Sequence, residues 1–214
     1  MEMPIAPFLV GHTIILRSPV AEDVTEGDWH HWYNDASVTQ FNSHGVFPVS
    51  QDEELEFVRS SMKRRDGLLM AILEKSSGRL VGNAALQNID FINRRCNIAL
   101  TIGEQAGPST GVEAYGLLTQ HAFCRLNLNR VSDATHERCL KFVSMLQVLG
   151  FEIEGRGRQH YLRDGEYSDS VFFGVLSEDF FRLRNERGGP ILYETHEELM
   201  RSILNMLSSD SAEL

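Results

Sequence analysis

The sequence predicts a mixed α/β (α+β) domain in which helices flank a central, mostly antiparallel twisted sheet. Three observations support this fold class. Residues 96–102 alternate between two sets of side chains, which is the two-residue period of a pleated strand. Residues 68–102 contain three strand candidates separated by short turns, which indicates an antiparallel meander. A loop of small residues and a long amphipathic helix then follow, which predicts a crossover to a parallel strand.

The elements before this crossover have clear boundaries. Residues 13–17 are rich in β-branched side chains and end next to a proline, so they predict the first strand. Residues 21–33 predict one helix or two short ones. Residues 50–62 begin with a capping box and predict a longer helix. Residues 68–74 and 80–86 predict the first two strands of the meander.

The loop of residues 103–111 is a candidate anion site at the start of the long helix. Free backbone N–H groups and the helix dipole would favour a bound pyrophosphate there. The amides in reach belong to Ser109, Thr110, Gly111 and Val112. The spacing is not that of a Walker loop, and the preceding antiparallel strands argue against a dinucleotide-binding fingerprint. The alternative is a helix N-terminus that is capped by Ser109 or Thr110 and binds no ligand.

The rest of the chain continues the alternation of strands and helices. Residues 129–135 predict a strand and residues 137–149 a second amphipathic helix, which Gly150 ends. Residues 151–155 begin another strand, and residues 160–176 predict a last hairpin across an Asp-Gly turn.

We expect two units, a domain of residues 1–177 and a C-terminal helical extension of residues 178–214. The extension is polar with a helical pattern, which Gly188, Gly189 and Pro190 interrupt. It either packs on the domain or mediates self-association, so a homodimer stays open.

Composition restricts the classes of function. Of the 214 residues, 42% are hydrophobic and 23% charged, and the formal charge of −10 argues against a nucleic-acid partner. No apolar run is long enough to span a bilayer and no secretory signal pattern is visible, so we expect a cytoplasmic protein without a membrane partner. The three scattered cysteines do not suggest a disulfide framework. No metal is expected, because no acid or cysteine at ligand spacing accompanies His30, His31 and His44.

A set of ordered segments resembles the GNAT superfamily of acetyl-CoA-dependent N-acetyltransferases over residues 13–176. The segments are LRSPVAEDV, WYNDASVTQF, GRLVGNAALQNIDFINRRCNIALTIGE, GVEAYGLLTQHAF, LNLNRV and LGFEIEGRGRQHYLRDGEYSDSVFFGVL. They are most similar to the branch that contains the ribosomal-protein N-terminal acetyltransferases. Within that branch, WYND together with GNAALQNIDFINRR resembles enzymes that acetylate amino-sugar nucleotides.

The resemblance implies a sheet of about seven strands that splays in the middle, with acetyl-CoA between residues 97–102 and residues 130–135. Backbone groups would pair with the pantetheine arm as an added strand does, and a primary amine would attack the thioester directly. The acceptor would be a small-molecule amine, with amino-sugar nucleotides placed slightly ahead, or a peptide or protein N-terminus. The implied cofactor-binding residues are Leu100, Thr101, Ile102, Gly107, Ser109, Thr110, Gly111, Val112 and Cys139.

Several positions depart from the family pattern. Ala106 stands at the Arg/Gln position of the pyrophosphate loop, Ser109 at its first glycine, and Cys139 where an asparagine usually touches the cofactor. Leu146 stands where many members have a tyrosine acid, and Asn97 where near relatives often have a carboxylate. The alternative to an enzyme is therefore a CoA-binding or interaction protein on the same fold that lacks catalysis.

His136 and Asn97 are the candidate catalytic residues. His136 is expected at the mouth of the cleft and could act as a base, whereas Asn97 could orient a water molecule. The simpler interpretations are a helix-capping or surface histidine and an ordinary strand asparagine. Trp29, Trp32 and Tyr33 either shape an acceptor pocket or belong to an aromatic core.

Overall fold

The computed structural model describes residues 5–42, 44–187 and 196–209. The strands are Leu9–Val10 (β1), Ile14–Arg17 (β2), Leu68–Glu74 (β3), Leu80–Asp90 (β4), Arg95–Ile102 (β5), Arg130–His136 (β6), Glu152–Arg163 (β7) and Glu166–Leu176 (β8). The helices are Ala21–Thr25 (α1), Trp29–Trp32 (α2), Ala36–Thr39 (α3), Gln51–Ser61 (α4), Thr110–Cys124 (α5), Leu140–Val148 (α6), Ser177–Glu186 (α7) and His196–Ser209 (α8).

The strands of the described residues form one sheet in the order β1-β2-β3-β4-β5-β6-β8-β7. Neighbouring strands are antiparallel except β5 and β6, which are parallel because α5 carries the chain back across the sheet. The predicted fold class, a mostly antiparallel sheet flanked by helices, is therefore confirmed.

The parallel pair β5 and β6 separates after a short contact. Its register pairs Arg95 with Arg130, Cys96 with Val131 and Asn97 with Ser132. Beyond this point β5 stays paired with β4 as far as Ile102, and β6 stays paired with β8 as far as His136. The two halves of the sheet therefore diverge from the Asn97–Ser132 pair onward, and we call this pair the apex.

The structure refines the predicted elements at both edges of the sheet and over residues 21–33. The sheet has eight strands, because β1 is only two residues long and too short to show a period. Residues 21–33 form two short helices, the second of the two alternatives. β7 is one strand of 12 residues, and register shifts between Ile153 and Gly155 and between Gly157 and Tyr161 interrupt the alternation on which the prediction relied.

The two faces of the sheet carry separate cores. Cys96 and Ile98 on β5 belong to the larger core, which α5 and α6 cover. The smaller core surrounds Trp29 and Val58 on the other face, under α1, α2 and α4. Because side chains alternate along a strand, Asn97 faces away from α5. A carboxylate or amide on β5 or β6 can therefore be assigned to one face from its position.

The described part of the C-terminal extension contacts the larger core. Phe180 on α7 and Leu199 on α8 are both fully buried in it. The predicted interruption at Gly188, Gly189 and Pro190 lies outside the described residues, and the domain boundary at residue 177 stays a prediction. Among the described helices, none is long and apolar enough to cross a membrane.

Candidate active site

The divergence of β5 and β6 opens a cleft of about 980 Å³ through the sheet. Side chains from β4, β5 and β6 form its walls inside the sheet. On one face Phe142 of α6 contributes to the lining, and on the other face Phe57 of α4 does. The lining of the gap therefore extends from one face of the sheet to the other.

Asn97 closes the narrow end of this cleft. Its Nδ2 donates to the backbone oxygen of Ser132 at 2.9 Å and lies 3.3 Å from the Ser132 hydroxyl. Its Oδ1 lies 3.4 Å from Nδ2 of Asn88. This side chain joins β5 to β6 at their last paired position, so it stabilises the apex from which the strands separate.

Asp133 is the first residue of β6 beyond the apex, and it lines the cleft on the α5 face. Its Oδ2 accepts a hydrogen bond of 2.7 Å from the hydroxyl of Tyr115, and its Oδ1 accepts one of 2.7 Å from the Ala134 N–H. Tyr115 is fully buried in α5. Burial raises the pKa of the Asp133 carboxyl to about 6, although both hydrogen bonds act in the opposite direction.

The polar side chains that line the cleft on the α4 face include Tyr33, Glu54 and Asn83. Oε1 of Glu54 accepts a hydrogen bond of 2.7 Å from Nε1 of Trp29, and burial raises the pKa of the Glu54 carboxyl. The hydroxyl of Tyr33 donates to Oδ1 of Asn83 at 3.2 Å. Asn83 is 5% exposed, and its buried Nδ2 has no hydrogen-bond partner in the described part of the chain. We call Tyr33, Glu54 and Asn83 the acceptor wall.

The first turn of α5 presents free backbone donors. The Thr110 N–H donates to the oxygen of Gly107 at 3.1 Å. The N–H groups of Gly111 and Val112 have no hydrogen-bond partner among the described residues. A side chain on Gly111 would point between α6 and β5, because an added Cβ would lie 3.4 Å from Sδ of Met145 and 3.5 Å from Cδ2 of Leu100. This helix end therefore adjoins the β5 side of the cleft and can bind an anion.

Ser109 does not cap α5 through its side chain. The residue is 2% exposed, and its hydroxyl donates to Oε1 of Glu113 at 3.1 Å. Glu113 also accepts from the N–H and the hydroxyl of Thr13, at 2.9 and 2.6 Å. The backbone of Ser109 has φ −92° and ψ −8°, which any L-residue adopts. A serine at the expected glycine position therefore directs its side chain into the interior and leaves the first turn of the helix uncovered.

The predicted cofactor-binding residues occupy two adjoining regions. Leu100, Thr101 and Cys139 line the cleft. The others do not line it and lie at the end of β5 or around the first turn of α5; they are Ile102, Gly107, Ser109, Thr110, Gly111 and Val112. The structure thus brings both sets to the same end of the sheet.

The two predicted catalytic residues lie apart. Asn97 lines the cleft at the apex, whereas His136 is not among the lining residues. The ring of His136 lies between Tyr161, stacked at 4.9 Å, and Phe41 at 5.4 Å. Its Nδ1 accepts from the N–H of Arg138 at 3.1 Å, and burial lowers the pKa of the imidazole. The described residues contain no cluster of three or more metal-ligating side chains.

Comparison with known proteins identifies the family. The acetyltransferase (GNAT) domain model matches residues 13–152. The chain belongs to this family. It is 24% identical over 152 residues to an uncharacterized N-acetyltransferase, p20, of Bacillus licheniformis, covering 70% of this chain and 85% of that protein. It is 29% identical over 104 residues to YdaF of Bacillus subtilis, named as a ribosomal N-acetyltransferase, covering 48% of this chain and 57% of that protein.

Solved structures agree with the sequence comparison. The spermidine N-acetyltransferase of Vibrio cholerae, solved with CoA and spermine, has a TM-score of 0.70 and 18% identity, and the match covers 79% of this chain and 98% of that one. At this identity the likeness shows the shared fold. Together with the family match, it confirms the predicted N-acetyltransferase of the GNAT family, whose members take the acetyl group from acetyl-CoA.

The sequence analysis did not select four residues of this site. Three of them line the cleft, namely Asp133, Glu54 and Asn83, and the fourth, Tyr115, donates a hydrogen bond to Asp133. A signal existed for Asp133, because it follows the buried Val131 by two residues and must share its face of the sheet. Glu54 precedes the buried Val58 by four residues and so shares its face of α4. A carboxylate on a core-facing position is unusual and indicates a special role.

Proposed function

We propose that this enzyme acetylates the N-terminal α-amine of a peptide or protein with acetyl-CoA, by direct attack of the amine on the thioester. The observation that supports this best is the cleft, because its lining includes side chains on the α6 face and on the α4 face of the sheet. Donor and acceptor can then approach the gap from opposite sides of the sheet, without competing for the same space.

The free edge of β5 and the first turn of α5 adjoin each other and would together bind the donor. The edge of β5 at residues 98–102 is not paired with β6, so its backbone groups are free to bind the pantetheine arm as an added strand would. A backbone N–H on this edge would polarise the thioester oxygen. The N–H groups of Gly111 and Val112 would bind the pyrophosphate, and Lys141, exposed on α6, would neutralise further phosphate charge. When bound, acetyl-CoA supplies the activated acetyl group.

The charge of the cleft favours a cationic acceptor. The carboxylates of Glu54 and Asp133 have no ion-pair partner among the described residues, whereas Arg130 is engaged with Glu154. Two unneutralised carboxylates attract an ammonium group and repel a diphosphate. This favours a peptide N-terminus over the amino-sugar nucleotide that the resemblance of the sequence suggests.

The free amide of Asn83 adds a second criterion. A buried N–H donor that finds no partner costs about 1–3 kcal/mol, so the bound acceptor should present an oxygen to Nδ2 of Asn83. A peptide has a carbonyl oxygen next to its α-amine. A polyamine, the acceptor class of the structural neighbour from Vibrio cholerae, has no oxygen at all. The acceptor wall therefore suits a peptide better than a polyamine.

A panel of acceptors tests this function. The protein would be incubated with acetyl-CoA and a lysine-free peptide, the same peptide with a blocked N-terminus, a nucleoside-diphosphate amino sugar or spermidine. Thiol release and product mass are measured. We expect the highest kcat/KM for the free peptide and no transfer to the blocked one.

The alternatives give different results in the same experiment. A higher kcat/KM for the amino sugar or for spermidine would contradict the proposed acceptor. Calorimetric binding of CoA without transfer to any amine would favour the non-catalytic alternative. Absence of both binding and transfer would contradict the proposed cofactor site.

A further inference from the structure

The titratable side chains that line the cleft differ in their availability for proton transfer. They are Tyr33, His44, Glu54, Arg130, Asp133, Cys139 and Glu154. Arg130 and Glu154 form an ion pair with each other, and burial raises the pKa of the Cys139 thiol. Tyr33, His44 and Glu54 belong to the segment that covers the α4 face. Asp133 is therefore the carboxylate of the lining that lies both next to the apex and on the α5 face.

We propose that Asp133 is the group that transfers the proton during acetyl transfer, and that Tyr115 is a positioning residue for it. This inference rests on the proposed function. The bound ammonium group first releases one proton to solvent, which gives the neutral amine its lone pair. Asp133 accepts the proton that the amine nitrogen then loses as this lone pair bonds to the acetyl carbonyl carbon. It then donates this proton to the sulfur as the carbon–sulfur bond breaks. The products are the N-acetylated amine and a free thiol, and the carboxylate is regenerated.

The geometry supports a single, fixed orientation of this carboxylate. Oδ1 is held by the Ala134 N–H and Oδ2 by the Tyr115 hydroxyl, each at 2.7 Å. Tyr115 cannot move to solvent because it is fully buried, and its ring makes edge contacts with Phe142 and Phe151. Asp133 also lines the cleft, where the reacting atoms would meet.

The surroundings of Asp133 make it a suitable base near neutral pH. Its carboxyl has a pKa of about 6, so it is mostly ionised at pH 7 and still basic enough to accept a proton. The neighbouring titratable groups are Tyr115 from α5, Cys96 from β5 and Cys139 before α6, and burial raises the pKa of each of them. They stay neutral in this range. Burial raises the pKa of Glu54 and lowers that of His44, which line the cleft on the α4 face, so substitution of Asp133 is needed to assign the titration near pH 6.

The first experiment compares wild type with Asp133→Asn, which keeps the shape and an acceptor for Tyr115 but cannot carry the proton. We expect kcat to fall by about 100-fold or more, with the Kd for acetyl-CoA unchanged by calorimetry. Asp52→Asn, exposed on α4 and outside the lining, is the matched control and should keep wild-type kcat.

The second experiment does not depend on turnover. Carbon-13 NMR of the free protein should show a carboxyl titration near pH 6 that Asp133→Asn removes. Tyr115→Phe removes a hydrogen bond to the ionised form, so the carboxyl titration should move to higher pH. The ascending limb of the kcat/KM profile should move in the same direction. A merely structural role of Tyr115 would lower activity without moving either curve.

The outcomes separate this inference from the proposed function. If the wild type transfers acetyl to peptides and the kcat of Asp133→Asn is within threefold of the wild-type kcat, the inference alone is overturned. Wild type that transfers to no amine would overturn the proposed function and the inference with it. If Asp133→Asn fails to fold, the carboxyl titration and the pH profile of the wild-type protein still test the assignment. A carboxyl titration and an activity limb that differ by more than one pH unit would overturn the assignment.

Discussion

The two faces of the cleft offer different kinds of groups to their ligands. On the α5 face the groups are mainly backbone N–H donors, at Gly111 and Val112 and along the free edge of β5. On the α4 face they are side chains of Glu54 and Asn83. A backbone N–H remains a hydrogen-bond donor when the side chain of its residue is replaced. Ligand binding on the α5 face should therefore tolerate side-chain substitutions better than ligand binding on the α4 face.

Glu113 offers the most severe way to disturb the backbone face. This buried carboxylate joins the first turn of α5 to Thr13, next to the start of β2, through three hydrogen bonds that involve Thr13 and Ser109. Glu113→Ala leaves these donors without their acceptor, so we expect the free energy of unfolding to fall by about 3 kcal/mol or more. Urea denaturation measures it. Glu113→Gln keeps an acceptor and should lose less; equal losses for both variants would contradict the explanation.

Asp133, on the α5 face of the cleft and next to the apex, should make stability depend on pH. Its folded pKa of about 6 exceeds the ordinary value of 3.8, so the native state binds the proton more tightly than the unfolded chain. Stability is therefore highest below pH 4 with respect to this group, and falls as the pH rises through 6. The loss is at most about 3 kcal/mol.

A urea titration of wild type and Asp133→Asn at several pH values measures this dependence. The variant should gain stability relative to wild type between pH 4 and pH 7, because its amide does not titrate. A difference between the two proteins that stays constant over this range would contradict the raised pKa.

Glu54 tests the side-chain face directly. Glu54→Gln keeps an acceptor for Nε1 of Trp29 but removes the charge that attracts the ammonium group. We expect KM for the peptide to rise about tenfold, which corresponds to about 1.4 kcal/mol, with the Kd for acetyl-CoA unchanged. Glu56→Gln, exposed on the same helix, is the control. A similar KM for both variants would show that charge on the α4 face does not select the acceptor.

The same difference between the faces explains what the sequence could predict. β5 and α5 were predicted from their periods, and the free amides belong to the turn that joins them, so the backbone face is encoded in adjacent residues. The acceptor wall depends on contacts between distant elements: Tyr33 and Asn83 are 50 residues apart, and Trp29 and Glu54 are 25 apart. Pattern and spacing give the face on which a side chain lies but not its partner.

The apex gives an intermediate case. The strand period assigns Asp133 to the α5 face, yet its hydrogen bond to Tyr115 joins residues 18 apart on different elements. The splay itself depends on where pairing between β5 and β6 stops. The two strands pair at only three positions, and no local sequence pattern indicates where this pairing ends. Resemblance to a family supplied the splay, whereas the position of the Asp133 carboxylate next to the apex required the structure.

Ser109→Gly should change CoA binding least, and it tests whether the α5 face binds the phosphates through its backbone alone. The substitution restores the glycine that the family pattern expects, but the serine hydroxyl points to Glu113 rather than to the N–H groups of Gly111 and Val112. We therefore expect the Kd for CoA to change by less than about threefold, which is under 1 kcal/mol. Stability should fall by about 1 kcal/mol, because one hydrogen bond is lost and glycine is more flexible when unfolded. Calorimetry and urea denaturation measure the two quantities.

Gly111→Leu, which would fill the space towards Leu100, is the contrasting variant and should weaken CoA binding strongly. A tenfold change of Kd in Ser109→Gly would mean that this side chain, and not the backbone alone, contributes to the phosphate site.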